Sequence, residues 1–159
     1  MLKPLVRFDP VELPEANRLL EAWAHKIGPL KRGNQGALCH ALYHGPDAVA
    51  VTTASNLIAP NVGGGLAMLT RENTIELSRL CASRPGLCRV ALRLWREFVW
   101  PQLGYCYAVS YQDADLHNGL TYRFDGWQRA AYAHSGRDTR SGRPGRNKWV
   151  WVWPAIAPA

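Results

Sequence analysis

The chain has 159 residues, 47% of them apolar and 19% charged, enough for one folded domain that buries roughly two-thirds of its unfolded surface without staples, which excludes a disordered class. Nineteen Lys plus Arg against twelve Asp plus Glu leave a formal charge of +7, which favours an anionic partner such as nucleic acid or a phosphate-bearing cofactor. No apolar run approaches the roughly 20 residues of a membrane helix, and the first ten residues carry charges and prolines in place of a signal-peptide core, so the expectation is a soluble, cytoplasmic protein with no membrane partner.

Pro14 suits a first helical turn, Leu19, Leu20 and Trp23 recur at helical spacing, and Gly28-Pro29 stops the pattern, which predicts an amphipathic helix over residues 14–25. A basic, glycine-rich connection over 31–36 leads into residues 37–44, a strand that turns at Gly45-Pro46-Asp47 into a second strand over 48–53. Residues 61–65 read as a loop. Residues 74–81 alternate as a strand with Ile75, Leu77 and Arg79 on one face. An arginine there is either a rim residue whose guanidinium reaches solvent or part of a site. After Ser83-Arg84-Pro85-Gly86, a helix is predicted over 87–100, with Val90, Leu94 and Phe98 as its apolar stripe and Pro101 as its stop.

A strand over 105–110, a short helix over about 116–124 and a strand over 128–132 follow. A basic Gly/Pro/Ser loop covers 137–147, and residues 147–153 alternate as a closing strand with Trp149, Trp151 and Trp153 on one face. That order specifies an α/β fold with a mixed sheet, in which the 74–81 strand, the long helix and the 105–110 strand form a right-handed parallel crossover. Ligands of such sheets bind outside the strands' carboxyl ends, so Ser83–Gly86 and Ser110–Asp113 are expected at one edge, with the positive start of the helix suited to a pyrophosphate.

The densest chemistry lies in Ser110-Tyr111-Gln112-Asp113 and His117-x-Gly119-x-x-Tyr122-x-x-x-Gly126-Trp127, which set a hydroxyl, a carboxylate, an imidazole and two phenols just after an apolar strand. Tyrosines and tryptophans at such spacing also serve as core residues, and both readings stand at this point. Cys39, Cys81, Cys88 and Cys106 lack C-x-x-C spacing, sit within apolar segments and read as buried, reduced thiols. His25, His40, His44 and His117 follow no recognised ligand pattern, so no metal ligand is assigned.

The arrangement resembles the GNAT acyltransferase superfamily. Tyr122-Arg123-Phe124-Asp125-Gly126-Trp127 is similar to the Y-x-x-x-G-F segment common near the end of its members, and Ser83-Arg84-Pro85-Gly86-Leu87-Cys88 stands where they carry a phosphate loop, keeping one of its glycines. The resemblance implies a single domain over 1–159 with a centrally splayed mixed sheet flanked by helices. It also implies an acyl-CoA donor such as acetyl-CoA, bound by Leu80, Cys81, Ser83, Arg84, Gly86, Leu87 and Cys88. Within the superfamily, Glu76-Leu77-Ser78-Arg79-Leu80, Ser110–Asp113 and His117-x-Gly119-x-x-Tyr122 with Trp127 most resemble the Mom-like branch of phage and prophage DNA-modification proteins. That likeness implies transfer of an acyl-derived group to the exocyclic amine of adenine in duplex DNA, as an anti-restriction modification in a bacterial host.

An adenine amine is a poor nucleophile, so Asp113 or His117 would take its proton, Tyr122 would donate to the leaving group, and Ser110 or Tyr111 would orient donor or base. Arg79 would bind an anionic group or polarise a carbonyl. A flipped base would stack on Tyr111, Trp127 or Trp23. Arg137, Arg140, Arg143, Arg146 and Lys148 would contact phosphates, although the same loop reads equally as a solvated turn. Two alternatives stand beside this reading: a GNAT enzyme acetylating a small-molecule or protein amine, and a DNA-binding GNAT-fold protein without catalysis. The tryptophan-rich closing strand could pair with a second copy or pack in its own core.

Overall fold

The computed structural model describes residues 6–31, 36–134 and 145–156. Its seven strands form a mixed sheet in the order β1-β2-β3-β4-β5-β7-β6. The described residues fall into two compact units, those within 1–56 and 77–104 and those within 57–76 and 105–159. Among them, no helix is long and apolar enough to cross a membrane.

In the first unit, β1 (Val6–Val11), β2 (Leu38–His44), β3 (Asp47–Asn56) and the body of β4 (Thr74–Ala82) lie side by side. β2 and β3 are the expected antiparallel hairpin. Its turn is closed by Gly45 at φ 62, a left-handed conformation that costs glycine little, and Val49, Val51, Thr52 and Thr53 supply the β-branched run that prefers a pleated surface.

Strand alternation gives this part of the sheet two apolar faces. One carries Cys39, Ala41, Val51 and Cys81 against Ala16, Leu19 and Leu20 of α1 (Leu13–Ala22). Leu42 and Ala50 pack with Ala91 of α2 (Leu87–Leu94).

The structure departs from three sequence expectations here. β1 occupies residues for which the sequence pattern predicts no element, and it contains Pro10, which a central strand would not tolerate. β1 is an edge strand, however, so the N–H that proline lacks need not pair outward. α1 stops at Ala22 instead of continuing to residue 25. Asn17 holds the returning chain, donating through Nδ2 to Leu30 O (3.2 Å) and accepting Leu30 N–H at Oδ1 (2.8 Å), and Ala24 takes φ 50 where the path reverses.

The third departure is in α2. It ends at Leu94, continues as a π-helical turn over Trp95–Val99, and closes in a 3₁₀ turn over Trp100–Gln102 that holds Pro101. The buried positions are Ala91, Leu92, Trp95 and Val99, while Val90 and Phe98 of the expected stripe are exposed. Two apolar stripes are written on this segment. The one containing Trp95 is inside, because an indole is the largest apolar surface the segment can remove from water.

The second unit contains β5 (Tyr107–Asp113), α3 (Leu120–Phe124), β6 (Gln128–Ala133), β7 (Lys148–Trp153) and the start of β4. Tyr107 N–H donates to Asn73 O at 3.0 Å where β4 begins. β7 runs antiparallel between β5 and β6, both of its edges paired, so it offers no free edge to a second copy. Val150 and Val152 face a cluster with Leu57, Val62, Leu66, Leu69 and Val109. Trp149, Trp151 and Trp153 alternate onto the opposite face, as the sequence pattern predicts.

Candidate functional site

β5 begins two residues later than expected and runs on through Tyr111, Gln112 and Asp113, so these residues lie within the strand and not in a loop after it. This assigns them to faces. Ser110 and Gln112 point to the tryptophan side of the sheet and are buried, while Tyr111 points to the other side and packs against the valine cluster. Asp113 has the same strand parity as Tyr111.

On the tryptophan side, Ser110 Oγ lies 2.8 Å from Tyr122 Oη. The Tyr122 ring stacks on Trp151 (centroids 5.5 Å apart, planes at 16°) and takes the Trp127 ring edge-on at 5.7 Å. Trp151 Nε1–H donates to Gln112 Oε1 at 2.8 Å, and Gln112 Nε2 donates in turn to the His117 carbonyl. Trp127 Nε1–H donates to Asp125 Oδ2 at 2.9 Å. Each indole therefore has a polar anchor as well as a packing partner, which is what a buried tryptophan requires.

Two backbone features bring Tyr122 to this position. Gly119 initiates α3 at φ +74, and a Cβ placed on it would come within 2.5 Å of both Gln112 Oε1 and Trp151 Cζ2. Glycine is thus required for its conformation and for the close approach of the chain to Trp151. α3 is a single short turn that ends as Gly126 and Trp127 bond back to Arg123 O and Tyr122 O. The result is a half-buried phenol whose hydroxyl sits against a buried serine hydroxyl on a rigid aromatic floor.

The other residues proposed from sequence are distributed as follows. Asp113 Oδ1 accepts Asp115 N–H at 3.0 Å, and Asp113 O accepts His117 N–H at 3.2 Å, so this aspartate shapes the turn that leads to α3. His117 has an exposed side chain, and its carbonyl is what it contributes to the network. Trp127 is only 4% exposed and Tyr111 is packed against valines, so neither presents a free ring face to a nucleobase as folded. Trp23 is half-buried against the α1 cluster. Lys148 Nζ lies 5.8 Å from the Tyr111 ring centroid, and Arg146 is half-buried. Arg137, Arg140 and Arg143 lie outside the described residues.

In the first unit, Arg79 is 8% exposed and does not reach for solvent. Its Nε donates to Gly28 O (2.9 Å) and its Nη1 to Ser78 O (2.8 Å), tying the segment after α1 to β4. Leu80, Cys81 and Leu87 are committed to core packing. Ser83 bonds Val49 O through both its N–H (2.9 Å) and its Oγ (3.2 Å), which fixes the loop's entry. Arg84 and Gly86 are exposed, Gly86 has φ +88, and no side chain caps the first turn of α2.

Burial sets the thiol chemistry. It pushes Cys88 up to about 11 and raises Cys39 and Cys81 as well, so all three are held as neutral thiols at neutral pH. Cys106 is exposed. In the folded protein, a chromogenic disulfide reagent at pH 7.5 is expected to titrate Cys106 quickly, the half-buried, neutral Cys88 more slowly, and Cys39 and Cys81 only as fast as the chain opens. Rapid modification of Cys39 or Cys81 would contradict the burial described.

Gln112 and Gly119 stand in the sequence only as members of a motif, and nothing local marks the parts they and Asp125 play. The available signal was the alternation of Ser110 and Gln112 within a strand. Trp151, 39 residues away from Gln112, is placed by sheet register and not by local pattern.

No protein-family model matches the sequence, and no curated protein sequence matches it. Solved structures do match. The ribosomal-protein-S18-alanine N-acetyltransferase from Escherichia coli superposes with a TM-score of 0.63 at 15% identity, covering 97% of each chain. A Bacillus subtilis acetyltransferase in complex with CoA gives 0.62 at 13% identity over 96% of this chain and 100% of that one. A protein assigned to the GNAT acetyltransferase family from Desulfovibrio desulfuricans gives 0.61 at 13% identity, over 93% and 98%. The chain has the α/β fold of the GNAT acetyltransferases.

Proposed function

We propose that the protein is an N-acyltransferase that uses acetyl-CoA or a related acyl-CoA to acylate an amine on a small molecule or a protein. The observation that carries this reading is the Ser110–Tyr122 hydroxyl pair, 2.8 Å apart on the Trp151 floor, within a GNAT fold. Support for the donor comes from the neighbour solved with CoA. Support for the acceptor class comes from neighbours whose names specify a ribosomal-protein alanine and spermidine. Nothing in the comparisons favours adenine in DNA, and of the aromatic residues suggested for base stacking Trp127 is buried while Tyr111 and Trp23 are packed against apolar clusters; the amine reading is preferred for both reasons.

The residues present suit the donor. Gly86, without a side chain and at φ +88, opens α2 with its first amides uncapped, and Arg84 is exposed beside it. These are the groups that would hold a diphosphate, through helix amides and a guanidinium. The donor supplies a thioester: an N–C bond forms at the carbonyl as the C–S bond breaks, sulfur leaves as a thiolate needing a proton, and the amine loses one. Tyr122 holds a proton at Oη for that thiolate and Ser110 Oγ orients the phenol, while the amine releases its proton to solvent and the half-exposed phenolate takes one back from solvent, so that the cycle balances. The Trp151 and Trp127 rings fix the Tyr122 rotamer, so the hydroxyl does not have to be ordered during the reaction.

The direct test is incubation with acetyl-CoA and a panel of polyamines, peptides with free N-termini, and duplex DNA, followed by thiol release and product masses. Release of CoA with an acetylated amine is expected. A modified adenine would overturn the acceptor class, and absence of acyl-CoA binding would overturn the whole reading. Within it, Arg84→Ala together with Gly86→Ala should raise KM for acetyl-CoA roughly tenfold at nearly constant kcat, since diphosphate binding is made equally in ground and transition states. A kcat effect alone would count against the loop.

A further inference from the structure

The first unit contains a cavity of about 720 Å³ on the β1–β2 edge of its sheet, closed on one side by the end of α2 and the turns that follow it. That volume falls in the range of roughly 300–1,000 Å³ typical of small-molecule sites. Three features distinguish it from a packing defect. Its wall includes Phe98 and Val99 of the π-helical turn, and such turns, rare in helices, concentrate at functional sites because they re-aim side chains. Its rim carries large apolar side chains left in solvent, Phe98 at 59% and Leu38 at 42% exposed, with Leu94 half-buried between helix and sheet.

Its polar groups are also unspent. The Glu12 carboxylate does not cap α1 and has no hydrogen bond or ion pair among the described residues. His40 Nδ1 is buried without a hydrogen-bond partner among those residues, and its ring rests against Phe8 at 5.5 Å. Burial lowers the His40 pKa, so the imidazole lining the recess is neutral at neutral pH, and because Nδ1 has no exposed surface it is Nε2 that is left to accept from a ligand. Among the described residues, the lining contains no Lys or Arg, although the chain as a whole carries +7. An acidic, apolar recess on a basic protein selects for cations and against carboxylates and phosphates.

We infer that this cavity binds a small amphiphilic amine, its alkyl or aryl body against Leu38, Leu94 and Phe98 and its ammonium N–H groups on Glu12 and His40. The inference does not depend on acyl transfer, since every residue it uses belongs to the first unit and none has been given a part in the reaction. An apolar body of a few carbons leaves water on entering the recess, and the carboxylate and imidazole fix the charged end.

The test is titration of the isotopically labelled full chain with 2-phenylethylamine, and separately with 3-phenylpropionate, followed by amide NMR shifts. Saturable shifts confined to β1, β2 and the 95–103 segment are expected with the amine, and binding at least tenfold weaker with the carboxylate. Glu12→Gln should weaken amine binding about tenfold, and Phe98→Ala should abolish it. Both side chains are exposed, so matched thermal melts will confirm that the variants fold. No saturable shift, equal binding of amine and acid, shifts centred elsewhere, or indifference to both substitutions would each overturn the site. So would self-association that Phe98→Ala removes, which would give this apolar rim to a second copy of the chain.

Discussion

Tyr122→Phe is expected to lower kcat for acetyl transfer by about 100-fold and to leave the KM for acetyl-CoA within about twofold of its starting value. The substitution deletes one oxygen. It keeps the ring that stacks on Trp151 and meets Trp127, so the aromatic floor survives and only the hydroxyl facing Ser110 is lost. General acids of this kind typically contribute 100- to 10,000-fold, and water can partly replace the phenol, which places the effect near the lower limit. Ser110→Ala should cost less, on the order of tenfold, because it removes the partner of the acid and not the acid itself. Steady-state kinetics with thiol release, read alongside unchanged near-ultraviolet circular dichroism, gives the answer. A Tyr122→Phe enzyme with normal kcat removes the phenol from the chemistry.

Gly119→Ala should be among the most destabilising single substitutions in the chain, lowering the free energy of unfolding by about 3–6 kcal/mol. Placing an L-residue at φ +74 costs about 1–2 kcal/mol, and forcing a methyl group into a packed site costs about 1–3 kcal/mol more. The methyl group would stand 2.5 Å from Gln112 Oε1 and Trp151 Cζ2, so it also strains the bond between those two side chains, worth about 1 kcal/mol. Against a total of about 5–15 kcal/mol this threatens folding at 37 °C. Gly86→Ala is the control: φ +88 strains it, but no heavy atom lies within 4 Å of the added carbon, so its cost should stay near the lower figure. Urea denaturation followed by tryptophan fluorescence measures both. Equal stability of the two variants would show that the chain does not approach Trp151 as closely as described.

Taken together, the two substitutions separate chemistry from architecture. Tyr122 is half-buried and can be stripped of its oxygen without moving a neighbour, whereas Gly119 is buried beneath the same site and cannot accept a single carbon. Losing activity with an intact melt, or losing the melt itself, identifies which layer of the site has been disturbed.

Much of this was legible in the primary structure, and where it was not the reason is specific. The Gly45 turn and its flanking β-branched residues define the β2–β3 hairpin locally, and alternation alone puts Trp149, Trp151 and Trp153 on one face. Periodicity also located α1, β4, α2 and the 110–127 cluster, since each is a pattern of one to four residues repeated over a short span. It could not choose between the Val90/Leu94/Phe98 stripe and the one carrying Ala91, Trp95 and Val99, because both have helical spacing and only the sheet beneath α2 selects which is covered. Nor could it separate Ser110 from Asp113. A strand end misplaced by three residues left Tyr111, Gln112 and Asp113 in a presumed loop after Ser110, while the antiparallel pairing with β7 sends Ser110 and Gln112 to the tryptophan face and Tyr111 to the valine face. The chain's own letters settled which chemical groups it possesses and the local rhythm that makes each helix and strand. Partners brought from 39 positions away, as Trp151 is to Gln112, were settled by sheet register, since a buried indole and a buried amide are satisfied only where strand pairing sets them side by side.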